Sequence, residues 1–245
     1  MTLWHLGDPD RALALGLEAL QRAREIGHPF SLAYCLHHLS WLYSFLRMGA
    51  EVQKTAEEQV AISTEQDFAL WRATGTFFQG VGLFLLGRHE EAIPLLLKGH
   101  RDFRSTGAEI FCPFQLGFLG EAYTRASRFD EAREALNEAL MLVEKNDDRI
   151  QEAELHRLHG ELLLAESPES ATDAESHFRR AVEIARQQRS RGWELRAAIS
   201  LARLHQRQGR DAEARELLTV IRAAYPETPT TPDLAEADAL RTALA

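Results

Sequence analysis

LGEAYTRASRFDEAREALNEAL, residues 119 to 140, decides the fold. Leu116, Leu119 and Tyr123, then Ala132, Leu136 and Ala139, recur at the spacing of one helical face. Ser127-Arg128 interrupts the two runs as a short turn would. The stretch therefore predicts a helical hairpin, and its neighbours repeat it. Gly80, Gly120 and Gly160 stand forty residues apart, and each is followed seven residues later by a small residue, Gly87, Ser127 or Ser167. Ala12, Ala92, Ala132, Ala174 and Ala214 keep the same period, with two extra residues absorbed in the SPESATDA turn. A fixed period of this size marks a stacked array, because one hairpin cannot bury its apolar face until a neighbour covers it. Small residues recur where helices approach closely, as Gly120 and Ala132 do, and large ones such as Leu116, Leu119, Tyr123 and Leu136 recur to fill the neighbouring pair.

Turn signals at Gly27-His28-Pro29, Met48-Gly49, Gly87-Arg88, Ser127-Arg128, Ser167-Pro168 and Gly209-Arg210 divide the chain into about a dozen helices. The reading is an all-α, right-handed α-solenoid of about six hairpins, the first incomplete, with about 40 residues per repeat. Its expected divisions are an array over 1–225, a Pro/Thr-rich linker over 226–232 and a capping helix over 233–245. The second repeat is the most degenerate, with Leu42 in the small-residue slot and Lys54 in place of the alanine. At the amino end Leu3, Trp4 and Leu6 read as the last turn of a packed helix, which predicts an exposed apolar end and an upstream hairpin or a docking chain.

The 119–140 stretch resembles a tetratricopeptide repeat, with Leu119-Gly120, Tyr123, Ala132, Leu136 and Ala139 at that family's offsets. A period near 40 against the usual 34 implies longer helices. Longer strings, GHPFSLAYCLHHLSWLY, TEQDFALWRATGTFFQG, FRSTGAEIFCPFQLGFLGEAY, EAELHRLHGELLL and WELRAAISLARLHQRQGRDAEARELL, resemble the carboxy-terminal repeat region of large bacterial signalling proteins. TPTTPDLAEADALRTAL is similar to their closing helix. In those proteins a cyclase, kinase or DNA-binding regulator domain and a predicted ATPase precede the repeats. The resemblance implies a regulatory or sensory module in cytoplasmic signal transduction, and no catalysis carries over to residues 1–245.

Composition agrees with a folded soluble chain: 45% hydrophobic and 27% charged residues, with 8 prolines. A formal charge of −9 argues against a general nucleic-acid surface. The six arginines between Arg179 and Arg196 are interspersed with glutamates and read as a solvated helix face. Cys35 and Cys112, without CxxC spacing, read as buried reduced thiols. No run approaches the roughly 18 apolar residues that span a bilayer.

No constellation reads as catalytic, cofactor-binding or metal-binding. There is no GxxxxGK[ST] loop and no nucleophile elbow. His89-Glu90-Glu91 begins like HExxH, but Ile93 takes the second ligand position. His156 and His159 share a helix face without an evident third ligand, and His37 and His38 diverge by about 100°. The expected function is partner binding on the concave face. By the repeat register that face carries Tyr43 and Arg47, Phe77, Val81 and Phe84, Glu121 and Thr124, Arg157 and Glu161, and Arg203 and Gln206. Apolar character early and charge late suit an amphipathic peptide or an adjoining domain. A Lys and Asn carboxylate clamp of the kind some tetratricopeptide domains use is absent at Gly117, Glu121, Arg157 and Glu161. The rival readings are a structural homo-oligomer and a peptide or small-molecule sensor.

Overall fold

A computed structural model describes residues 1–225 and 230–244. Among them are thirteen α-helices and two short 3₁₀ turns, with no strand. In order they are α1 (Thr2–His5), α2 (Pro9–Ile26), α3 (Pro29–Phe45), α4 (Gly49–Glu65), α5 (Ala69–Leu85), α6 (His89–Ser105), α7 (Cys112–Arg125), α8 (Phe129–Asn146), α9 (Glu152–Glu166), α10 (Ala171–Gln187), α11 (Arg191–Arg207), α12 (Asp211–Arg222) and α13 (Pro232–Ala243). The helices α3 to α6 run 17 residues each, long enough to account for the stretched period.

The turns set the register. Gly7, Gly27, Arg47, Asp67, Gly87, Gly107, Ser127 and Asp147 all take positive φ at intervals of twenty residues, and Arg189 and Gly209 resume the interval after the insertion. Each is the left-handed residue that ends a helix. The amide of the next residue then reaches back five positions, as in Met48 N to Tyr43 O (3.0 Å), Arg88 N to Leu83 O (3.0 Å), Arg128 N to Tyr123 O (2.9 Å) and Arg210 N to His205 O (2.9 Å). Ser167 is the exception. Its backbone is extended, and its hydroxyl accepts from Glu169 N at 3.3 Å to start a 3₁₀ turn. The two-residue insertion lies there, so this serine is not the counterpart of Gly87 and Ser127.

Chain contacts divide the molecule into two compact units, Arg11–Leu142 (with Met1) and Thr2–Asp10 plus Val143–Ala245. In the first, successive helices α3 to α7 pack on one another, and first helices also touch across repeats, α3 on α5 and α5 on α7. A Cβ on Gly80 would lie 2.8 Å from Leu96 and one on Gly120 would lie 2.6 Å from Leu136, the same sixteen-residue offset in both hairpins. These are the close approaches anticipated from sequence. The second repeat follows the same frame, with Ser40 and Val52 fully buried in the slots and Ser40 Oγ 2.7 Å from Thr55 Oγ1. Placing Leu42 and Lys54 there was two residues out of register; Lys54 is exposed.

In the second unit α9, α10, α11 and α12 stack in order, α9 also touches α11, and α13 lies on α11 and α12. The offset between Gly160 and Phe178 is eighteen, carrying the insertion. Thr231 caps α13, accepting from Leu234 N at 3.4 Å, with Pro232 in the first turn. Part of the linker anticipated over 226–232, residues 226–229, lies outside the described residues, as does Ala245 at the end of the capping segment. The apolar amino end is not left open. Trp4 is buried, its ring 4.8 Å from that of Trp193, and Arg196 lies over both rings at 5.5 and 5.1 Å. Leu6 remains half exposed.

Candidate interaction faces

The twenty-residue turn frame brings equivalent first-helix positions into columns. Thirteen, ten and six residues before the turn lie Tyr34, His37 and Trp41 in α3; Thr74, Phe77 and Val81 in α5; Phe114, Gly117 and Glu121 in α7. Tyr43 and Arg47 do not belong to this face. Tyr43 is buried in the core and Arg47 is the left-handed turn residue, so the sequence reading of α3 was displaced from its neighbours.

In the first unit this face is aromatic. The His37 ring sits 5.2 Å from Trp71, 5.4 Å from Phe78 and 5.3 Å from Phe111, and Trp41 lies 4.9 Å from Phe111 and 5.6 Å from Phe114. Burial, with the neighbouring His38 charge, holds His37 neutral, its pKa pushed down to about 3. Phe77 and Val81 are fully buried and Phe84 nearly so, Phe77 and Phe84 both meeting Phe118. They belong to the packing between first helices and offer no surface to a partner. Glu121 and Thr124 remain half-buried; Thr124 Oγ1 donates back to Gly120 O at 2.8 Å. The surface this unit presents is one sequence reasoning missed: Phe30 and Tyr34, each about half exposed, edge onto half-buried Trp71 at 5.7 Å, with Phe68 beside Phe30 at 5.6 Å and His38 against Tyr34 at 4.2 Å. Phe30, Tyr34 and His38 recur every four residues, so the stripe was present in the helical spacing.

In the second unit first-helix positions carry charge. Arg157 donates two hydrogen bonds to Glu154 at 2.8 Å and lies 3.5 Å from Glu161, which accepts from Ser200 at 2.6 Å. Arg196 donates to Asp233 at 2.8 Å and approaches Glu154 at 3.7 Å. Arg157 is buried, so its charge is already matched within the unit. Arg203, half exposed, pairs with Glu236 at 2.7 Å, and Gln206 faces solvent.

A third imidazole does exist beside His156 and His159. His177 of α10 brings its Nδ1 to 3.3 Å from that of His156, and its ring stacks on His159 at 5.3 Å. It sits eighteen residues beyond His159, the offset that links Gly160 to Phe178. One Nδ1 carries the proton that the other accepts. Burial lowers both, His156 to about 4. Among the described residues no group of three or more His, Cys, Asp or Glu is arranged to hold a metal ion. Cys112 is buried, its thiol pushed up to about 11 by burial, whereas Cys35 is only half-buried, less enclosed than its sequence setting suggested. Among the described residues no helix is long and apolar enough to cross a membrane.

Comparison with known proteins places this geometry. Residues 197–228 match the tetratricopeptide repeat family. A Rap protein complexed with competence and sporulation factor shares the fold at a TM-score of 0.67 and 13% identity, over 100% of this chain and 72% of that one. BtubC (BKLC) from P. vanneervenii gives 0.61 and 17%, over 90% and 94%. Aspartyl phosphate phosphatase F from Bacillus subtilis gives 0.65 and 12%, over 91% of this chain and 56% of that one. No curated protein sequence matches the chain. The chain is thus an all-α, tetratricopeptide-like solenoid with a recognisable tetratricopeptide repeat at 197–228.

Proposed function

We propose that this protein is a noncatalytic interaction scaffold that serves as the regulatory or sensory part of a bacterial signal-transduction ATPase or cyclase-like protein in the cytoplasm. The observation that carries the scaffold reading is the exposed aromatic stripe of Phe30 and Tyr34 over Trp71. Aromatic side chains give large contact area at low entropy cost and are enriched where proteins meet. The stripe suits a partner segment with its own apolar side chains. The signalling context rests on the resemblance of the long strings between residues 27 and 218 to bacterial signalling proteins. The Rap protein that shares the fold was solved with a bound factor, which fits a binding role.

The test is titration calorimetry with the purified ATPase or cyclase domain encoded in the same transcript. Binding is expected in the micromolar range, weakened at least tenfold by Phe30→Ser with Tyr34→Ser, while the circular dichroism spectrum stays unchanged. Equal affinity of that variant removes the stripe as the binding face. Turnover of ATP that is lost on a point substitution in this chain overturns the noncatalytic reading.

A further inference from the structure

Helix α13 is held by two complementary sets of groups. Its Leu234, Ala237 and Leu240 join one apolar cluster with Ala198 and Ala202 of α11 and Leu218 of α12. Around that cluster three carboxylates of α13 meet three arginines of the surface beneath: Asp233 with Arg196 at 2.8 Å, Glu236 with Arg203 at 2.7 Å and Asp238 with Arg222 at 2.9 Å. In these three pairs the acid belongs to α13 and the base to α11 or α12; Asp238 also lies 3.5 Å from Arg241 of its own helix, and Arg196 3.7 Å from Glu154 of α9. The helix also leaves the surface partly uncovered. A cleft of about 460 Å³ opens beside Leu244, which follows the helix, lined by Ala212, Arg215, Glu216, Thr219 and Val220 of α12. Val220 stands 63% exposed at its edge.

We propose that the α11–α12 surface beneath α13 is a docking site for an acidic amphipathic helix of a partner protein, which binds by displacing α13. This surface is separate from the aromatic stripe and does not depend on it. The charge complementarity selects the occupant: a helix with carboxylates at the spacing of Asp233, Glu236 and Asp238 engages the three arginines, and leucines on the adjoining face take the apolar cluster. As part of the same chain, α13 is an intramolecular competitor that keeps the site occupied until such a helix arrives.

The experiment uses the full chain and a fluorescein-labelled peptide of residues 230–244 as the acidic-helix probe, read by fluorescence anisotropy. In the variant Asp233→Asn, Glu236→Gln, Asp238→Asn the resident helix is weakened and the receptor is untouched. That variant is expected to bind the probe at least tenfold more tightly than the unsubstituted chain, and adding Arg203→Ala is expected to reverse most of the gain. No binding, or binding indifferent to Arg203→Ala, overturns the proposal. Global unfolding of the triple variant also overturns it, because α13 would then be an inseparable part of the core. Self-association of the variant without probe assigns the site to α13 of a second copy and overturns the partner reading. Hydrogen exchange on the unsubstituted chain gives an independent check: α13 amides are expected to exchange at least tenfold faster than those of α11, and equal protection counts against displacement.

Discussion

The two units use one backbone plan for opposite chemistry. Six and three residues before the small seam residue, the first unit places Tyr34 and His37 ahead of Ser40 and Thr74 and Phe77 ahead of Gly80; the second places Glu154 and Arg157 ahead of Gly160 in α9 and Arg196 and Ile199 ahead of Ala202 in α11. The close approaches beneath are the same kind in both, Gly120 on Leu136 and Gly160 on Phe178. Helix pairing is therefore fixed by small and large residues at the hairpin seam, and the face is left to vary. In the first unit that face is closed by ring packing, largely edge-to-face and with little polar surface. In the second it is closed by buried ion pairs, whose desolvation offsets much of their attraction.

The difference predicts unequal responses to truncation. Phe77 is fully buried among Phe78, Phe114 and Phe118, so Phe77→Ala removes a ring and leaves a void. The expected loss is about 3–5 kcal/mol, read as a lower urea midpoint. A loss below about 1 kcal/mol would mean that the first-helix seam is not packed as described.

In the second unit the order of single and double changes is the test. Arg157→Leu alone takes the bidentate partner from buried Glu154, leaving the longer 3.7 Å approach of Arg196, and is expected to cost about 3 kcal/mol. The pair Arg157→Leu with Glu154→Leu is expected to recover most of that loss. A double-mutant cycle in which the two changes simply add denies the coupling and makes the charged face no different in kind from the aromatic one.

Acid should act on both units, by the same sign and over the same window. His37 and His156 are neutral when folded, with pKa values lowered to about 3 and about 4 from 6.5. The unfolded chain takes up these protons first, so the stability they protect is complete above pH 6.5 and is lost as pH falls toward those folded values. The slope is about 1.4 kcal/mol per pH unit for each histidine. Glu175, held near 2 by hydrogen bonds from Arg210 and Arg179 against its own burial, gives up its contribution only below about pH 4.5. Unfolding midpoints from pH 7 to 5 are expected to fall, and His37→Leu is expected to lower the slope by one proton. A midpoint constant over that range shows the imidazoles to be solvated.

Much of this plan was legible in residues and some was not, for identifiable reasons. Gly80, Gly120 and Gly160 announced the period because a missing Cβ is the requirement for close approach. The second repeat hid its register because Ser40 takes the small slot and Arg47 the left-handed turn, neither of which is a glycine. Two residues of displacement then placed Tyr43 and Arg47 on a face that belongs to His37 and Trp41. Phe77 and Val81 were given the right helix face, but periodicity does not tell a seam between two first helices from an open surface. His177 escaped notice because its partner offset includes the insertion before α10.

The smallest expected effect tests whether the backbone plan is in fact shared. Gly87 and Gly209 end helices in different units with φ of +80° and +72°, and a Cβ on either meets nothing within 4 Å. Ser127 and Arg189 hold the equivalent turns with side chains, at φ of +57° and +55°. For L residues this region costs about 1–2 kcal/mol, and glycine gives back part of that through its greater freedom when unfolded. Gly87→Ala and Gly209→Ala are thus each expected to lose about 1 kcal/mol, and Ser127→Gly and Arg189→Gly to gain up to about 1 kcal/mol. Because no neighbouring side chain enters at the two glycines, the alanine losses should match between units despite the aromatic face of one and the ionic face of the other. Thermal denaturation of the four variants checks it, and a loss at Gly87 without one at Gly209 would show that the turns, like the faces, have diverged.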